Sequence, residues 1–157
     1  MKKIVAISVI TSATLFANSF EMFEKGEVNG EIRTGYINLD TKNSGSNSAF
    51  ALGGHLKYET TSIYGVSFGA GAYTSQGLGL NEDDKNPDFF DTDGKSFTIL
   101  GESYINYKFD KWSVKAGRQI VDTPFANTDD IRMAPNLFEG VVASFEPIEN
   151  LVIIGAY

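Results

Sequence analysis

Most of the chain alternates apolar and polar residues with a period of two, which is typical of β-strands with two different faces. In SAFALGGHLKYET, Phe50, Leu52 and Tyr58 share one face, while His55 and Lys57 lie on the other. Similar alternation further along the chain predicts seven strands. They are expected near residues 27–40, 48–59, 63–75, 96–109, 112–121, 137–145 and 151–157.

Two strands make the prediction of faces more specific. In the first strand, Ile37 and Leu39 are out of phase with Val28 and Ile32, and a β-bulge near Gly35 would explain the slip. In the fourth strand, the alternation assigns one apolar face to Phe97, Ile99, Ile105, Tyr107 and Phe109.

The predicted connections alternate in length. Short connections lie at residues 60–62, 110–111 and 146–150, and longer ones at 41–47, 76–95 and 122–136. Consecutive antiparallel strands place successive connections at opposite ends of a sheet, so one end collects the tight turns. Transmembrane β-barrels have this asymmetry, with short periplasmic turns and longer external loops.

Aromatic residues flank each of the short connections. Interfacial girdles of membrane barrels have this arrangement, although aromatic residues also favour strands in general. The residues concerned are Tyr58, Tyr64, Tyr107, Phe109, Trp112 and Phe145.

The N-terminus resembles a secretory signal peptide. Lys2 and Lys3 precede an apolar run of 14 residues from Ile4 to Ala17. That run is shorter than the roughly 20 residues of a membrane-spanning helix. We therefore expect residues 1–17 to be a signal peptide, cleaved after Ala17 or Ser19, and residues 18–157 to form an exported barrel domain. The alternative is a buried N-terminal helix.

A soluble β-sandwich would show the same alternation, with its apolar face turned inward. The signal peptide, the loop asymmetry and the aromatic girdle together favour an all-β, antiparallel transmembrane β-barrel. Bacterial single-chain barrels have an even number of strands, so seven strands indicate the N-terminal part of a larger barrel. An eight-stranded barrel ending at Tyr157 is the alternative.

Composition excludes several functions. The chain has no cysteine, so it has neither disulfides nor a thiolate metal site. Its net charge of −7 argues against general nucleic-acid binding. The acidic stretch between Asn81 and Lys95 does not fit the ligand spacing of an EF-hand. It is interpreted as a solvated loop, with weak divalent-ion bridging to lipopolysaccharide as an alternative. No metal and no cofactor are expected.

The stretch GRQIVDTPFANTDDIRMAPNLFEG interrupts the strand pattern. It contains Asp129, Asp130 and Arg132 between Pro124 and Pro135. A loop that enters a water-filled lumen can carry charge without facing lipid, so this stretch is interpreted as a pore constriction; an ordinary charged loop is the alternative.

No catalytic residues are expected. Adjacent carboxylates in a loop usually point apart, which argues against a catalytic pair at Asp129 and Asp130. His55, the only histidine, has the parity of the polar face, which argues against a lipase acting at the lipid surface.

The segments GEIRTGYINLD, ALGGHLKYET, ESYINYKFDKWSVKAGRQ and above all DTPFANTDDIRMAPNLFEG resemble the OprD-type family of outer-membrane porins. The resemblance implies a water-filled barrel of about 18 strands, narrowed by its third loop. It also implies passage of small solutes, often carboxylates, along basic lumen residues. The candidates on the polar face are Arg33, Lys57, Lys108 and Lys115, whereas Arg118 departs from this parity.

The sequence therefore predicts an outer-membrane porin of Gram-negative bacteria that lets small hydrophilic solutes or ions diffuse passively, with a preference for anions or carboxylates as the finer expectation. The expected partners are outer-membrane lipid, lipopolysaccharide and these solutes, and no nucleic acid. The sequence leaves open whether the protein forms a homo-oligomer. The alternative function is a structural or adhesive barrel without an open channel.

Overall fold

The computed structural model describes residues 21–41, 45–80, 89–123, 126–128 and 132–157. The predicted signal peptide, Asp129 and Asp130 lie outside these residues. The described strands form one antiparallel sheet in sequence order and curl into a half-barrel. They are β1 (Glu27–Thr41), β2 (Gly45–Glu59), β3 (Val66–Gln76), β4 (Phe97–Phe109), β5 (Trp112–Gln119), β6 (Phe138–Ile148) and β7 (Leu151–Ala156).

The predicted all-β antiparallel barrel architecture is confirmed. Leu52, Phe68 and Ile105 lie on one face of the sheet, called the outer face, while Ser67 and Asn106 lie on the other, called the inner face. These assignments follow from the cross-strand register, because residues directly opposite one another share a face. Successive residues then alternate between the faces.

The predicted bulge near Gly35 is wrong. β1 and β2 pair without a register shift from Glu27↔Glu59 to Thr41↔Gly45. Ile37 leaves the outer-face pattern because it turns inward, where it packs against a buried apolar cluster. An apolar residue on the polar side of a strand therefore marks a tertiary contact, not a backbone irregularity.

The register shift occurs instead between β3 and β4, at Gly71/Ala72. Gly71 pairs with Glu102 but Ala72 pairs with Leu100, which leaves Gly101 as the extra residue of a bulge. The single apolar face predicted for β4 is consequently wrong. Phe97 and Ile99 lie opposite Ser75 and Tyr73 on the inner face, whereas Ile105, Tyr107 and Phe109 lie on the outer face.

The three turns at one end of the sheet are short and contain residues with positive φ. Tyr64 and Gly65 have φ angles of 53° and 83°, and Ile63 and Val66 exchange two backbone hydrogen bonds around them. This is the geometry of a two-residue type I′ hairpin, in which both central residues are left-handed. Asp110 and Asn150 have positive φ in the other two turns.

At the opposite end, the connections 77–96 and 120–137 are long, as predicted. The first connection is shorter than predicted, because β1 continues to Thr41 and β2 begins at Gly45. The loop asymmetry therefore rests on the second and third connections.

Large apolar side chains are exposed over the outer face, from Val28 and Ile32 on β1 to Trp112 on β5. No second layer of the described residues covers them. Trp112 stacks on Phe145 with ring centroids 4.2 Å apart, next to the tight-turn end. None of the helical residues in the described part belongs to a segment long and apolar enough to cross a membrane.

Candidate functional site: the inner wall and the inward loop

The inner wall carries a buried carboxylate at its centre. Glu102 on β4 is only 3% exposed and accepts a 2.6 Å hydrogen bond from the hydroxyl of Tyr73 on β3. The ammonium group of Lys57 on β2 is paired with the same carboxylate and lies 5.5 Å from the ring centroid of Tyr73. Burial of the carboxylate is tolerated because its charge is both paired and hydrogen-bonded.

A second polar network lies nearer the tight turns. Tyr104 donates a 2.9 Å hydrogen bond to Glu59, and Ser67 donates one of 3.1 Å to the other oxygen of that carboxylate. The ammonium group of Lys115 lies 3.6 Å from the ring centroid of Tyr104, a cation–π geometry. Asn106 extends the network by donating to Ser67 at 3.4 Å.

Two glycines of β3 provide the space for these networks. A Cβ atom on Gly69 would collide with the ring of Tyr104, and one on Gly71 would come within 3.2 Å of Lys57 and 3.3 Å of Glu102. The glycine-rich pattern of the third strand is therefore explained by the bulk of side chains on its neighbours.

Arg33 connects β1 to the loop that follows β5. Its guanidinium donates hydrogen bonds of 2.9 and 3.0 Å to Glu31 and one of 3.2 Å to the backbone oxygen of Arg132. His55 lies beside this pair, with Nδ1 3.8 Å from Glu31 and only 14% of its side chain exposed. The histidine therefore contacts the wall and is largely shielded from solvent.

The described residues of the loop 120–137 lie over the inner face, where Met133 joins a buried cluster with Ala49 and Ala51 of β2. The loop's own backbone closes on itself, since Asn136 donates to the oxygen of Thr128 at 2.6 Å and Thr123 donates to that of Ala126 at 2.7 Å. Two grooves flank it. One of about 320 Å³ contains Lys108, Lys115 and Asp122, and another of about 300 Å³ contains His55 and Pro135.

The basic residues expected in the lumen all lie on the inner face but differ in their contacts. Arg33 and Lys57 are paired with glutamates of the wall. Lys108 and Lys115 line one groove, and no ion pair is formed by either within the described part of the chain. Arg118 lies on the outer face opposite Ser103 and Glu139, which agrees with its departure from the polar parity.

Of the three residues expected in the constriction, only Arg132 is described. It is exposed in the inward loop, and its backbone contacts Arg33. Asp129 and Asp130 lie outside the described residues. No group of three or more histidine, aspartate or glutamate side chains able to hold a metal ion occurs in the described ranges.

The sequence did not identify Tyr73, Tyr104 and Glu59 as parts of the site. Their parity was available as a signal, since all three share the polar face with Glu102 and Lys57. The inner-face positions of Gly69 and Gly71 were a second signal, because glycine in a strand often marks close approach of a neighbour.

A single curled sheet with an apolar outer face, a polar inner face and an inward loop defines the class of outer-membrane β-barrels. A comparison with protein families matches residues 21–156 to "outer membrane porin, OprD family". The chain belongs to the OprD family of outer-membrane porins and is thus a protein of the Gram-negative outer membrane. No curated protein sequence gives a significant match.

Three solved structures share the fold. OccAB1 of Acinetobacter baumannii is 22% identical, with a TM-score of 0.68, over 86% of this chain and 34% of its own. OccK9 (OpdG) of Pseudomonas aeruginosa is 20% identical, with a TM-score of 0.68, over 86% and 38%. A BenF-like porin from Pseudomonas fluorescens Pf-5 is 21% identical, with a TM-score of 0.66, over 86% and 38%. The chain spans about a third of the length of these porins.

Proposed function

We propose that the protein forms a water-filled channel through which small hydrophilic solutes diffuse passively across the outer membrane. The observation that carries this proposal is the inner wall itself. Its buried charges are satisfied within the wall, as at Glu102, while two grooves beside the inward loop remain lined by polar side chains. Such a wall suits the transport of small hydrophilic solutes.

We further propose that β1–β7 form one arc of a larger closed barrel. β1 and β7 each pair with a single neighbour among the described strands. A strand edge cannot remain unpaired in hydrocarbon, because each unsatisfied backbone group costs several kcal/mol there. We therefore propose that further strands pair with both edges in the membrane, and the greater length of the matched porins supports this proposal.

A preference for small anions, including carboxylates, is the finer part of the proposal. It is supported by the difference among the inner-face cations. Lys57 and Arg33 are matched by Glu102 and Glu31, whereas Lys108 and Lys115 have no such match in the described residues. The proposed constriction by Asp129, Asp130 and Arg132 would add charge of both signs where the loop narrows the lumen.

The test is reconstitution of the full-length protein in planar bilayers. Discrete current steps and swelling of liposomes in solutions of a small carboxylate salt are expected. The competing function is a structural barrel with a closed lumen. It would be favoured if correctly folded protein inserted but gave neither current steps nor swelling.

A further inference from the structure

Toward the long loops, the inner face of β1 and β2 is apolar, unlike the part of the wall that carries the charged networks. On β1 and β2, Gly35 lies opposite Ala51 and Ile37 opposite Ala49. Nearer the tight turns, the same face carries Glu31, His55 and Lys57. Exposure of this apolar surface to a water-filled lumen would be unfavourable, and side chains from the two long loops cover it.

Both long loops contribute to the cover. Phe89 and Phe90 come from the loop 77–96, and Met133 comes from the loop 120–137. These three side chains are 9%, 3% and 4% exposed. With Ile37, Ala49 and Ala51 they form what we call the loop-docking cluster.

The wall is shaped to receive these side chains. A Cβ atom on Gly35 would lie 2.6 Å from the ring of Phe89, which is too short for a real contact, so the glycine allows this ring to approach β1. Gly53 is required first by β3, because a Cβ there would lie 2.1 Å from the backbone oxygen of Thr74; it would also lie 2.9 Å from Cε of Met133.

In each loop, hydrogen bonds next to the docked side chains fix the neighbouring backbone. Asp91, next to Phe90, accepts hydrogen bonds from the backbone nitrogens of Asp93 at 3.0 Å and Lys95 at 2.7 Å, which closes a turn before β4. Met133 directly follows Arg132, whose backbone oxygen is held by Arg33 at 3.2 Å.

We infer that Phe89 and Phe90 are positioning residues for the proposed constriction: the loop 77–96 holds the loop 120–137 against the wall through the loop-docking cluster. The expected effect on current rests on the proposed channel function. The packing of the two loops does not rest on that function, because it depends only on the burial of these side chains.

The test compares the full-length protein with the variant Phe89→Ala/Phe90→Ala. Loss of both rings should lower the ratio of docked to undocked loop by about tenfold or more. Single-channel recordings should then show the fraction of time in a higher-conductance state rising by a similar factor. Leu80→Ala is the matched control, since Leu80 belongs to the same loop but is 69% exposed. The single variant Phe90→Leu should keep a nearly wild-type current, because leucine at this position conserves most of the buried volume.

Limited trypsin cleavage after Lys95, in detergent, provides a readout that needs no channel activity. When opening is fast relative to cleavage, the rate follows the open population. Cleavage should therefore accelerate in the double variant while the heat-modifiable migration of the barrel is unchanged. Wild-type rates of both current transitions and cleavage in a folded double variant would overturn the inference and leave the channel intact. A wild-type protein that gives no current would instead refute the proposed channel function. The cleavage rates would still show whether Phe89 and Phe90 hold the loop against the wall.

Discussion

Tyr73 and Glu102 are joined by a 2.6 Å hydrogen bond between adjacent strands of the inner wall, and Lys57 pairs with the same carboxylate. The lysine is thereby matched within the wall. In the proposed channel, the field therefore depends on the remaining charges of the inner face, Glu59, Lys108 and Lys115 among them, and on the charges of the inward loop.

Replacement of the buried carboxylate should shift permeation toward anions. Glu102→Gln removes the negative charge but keeps an oxygen to accept from Tyr73, so Lys57 becomes unmatched. We expect the anion-to-cation permeability ratio, measured from reversal potentials under a salt gradient, to rise roughly twofold. Glu139→Gln on the outer face is the control and should leave the ratio unchanged. An unchanged ratio in Glu102→Gln would mean that Lys57 does not face the permeation path.

Removal of an unmatched lysine should have the opposite effect. Lys115→Met takes one positive charge from the groove beside the inward loop, so the same permeability ratio should fall roughly twofold. Arg118→Met removes an equal charge from the outer face and should not change selectivity. Equal effects of the two substitutions would point to a nonspecific influence of net charge.

The negative and the positive charges of the proposed constriction can be tested separately. Asp129→Asn/Asp130→Asn should shift permeation toward anions, and Arg132→Ala toward cations, because a low-dielectric wall focuses the field across a narrow aqueous gap. Reversal potentials report both changes. If a correctly folded barrel shows neither shift, the loop lies outside the permeation path.

A methyl group added beneath Phe89 should loosen the loop-docking cluster without removing any of its members. Gly35→Ala would place Cβ 2.6 Å from the Phe89 ring, and overpacking of this kind costs about 1–3 kcal/mol. Gly155→Ala is the control, because a Cβ there meets no described atom within 4 Å. Faster trypsin cleavage after Lys95 is expected for Gly35→Ala only, and equal rates for both variants would contradict the packing.

The two faces of the sheet can be separated with a single pair of neighbours on β4. The chain contains no cysteine, so Tyr107→Cys and Lys108→Cys each introduce one thiol into it. In membranes, a water-soluble thiol reagent should label position 108 and spare position 107, since the first lies exposed on the inner face and the second faces lipid. Labelling in the reverse order would exchange the inner and outer faces.

The orientation of the long loops remains a prediction from the connection lengths. An epitope inserted near Asp84, between β3 and β4, should be reached by antibody on intact cells. Access only after the outer membrane has been opened would place the long loops in the periplasm.

The sequence by itself determined the number, type and approximate bounds of the strands. It also determined the faces of residues such as Ser67 and Ile105. This information is local, because a strand that is exposed to lipid on one side and water on the other must alternate every residue. The alternation of short and long connections, which places the short ones at one end of the sheet and the long ones at the other, can likewise be seen in the sequence alone. The resemblance of the segment DTPFANTDDIRMAPNLFEG to OprD-type porins supplied the family.

Only the tertiary structure decided the features that depend on contacts between distant segments. The bulge lies at Gly101 and not near Gly35, because register is set jointly by two strands and not by the alternation of one. Ile37 disrupts the outer-face pattern because it packs against a cluster to which Phe89 and Met133, more than fifty residues away in the chain, both belong. Parity could assign Lys57 and Lys115 to one face, but only the three-dimensional arrangement gave one lysine a buried carboxylate and the other an aromatic ring.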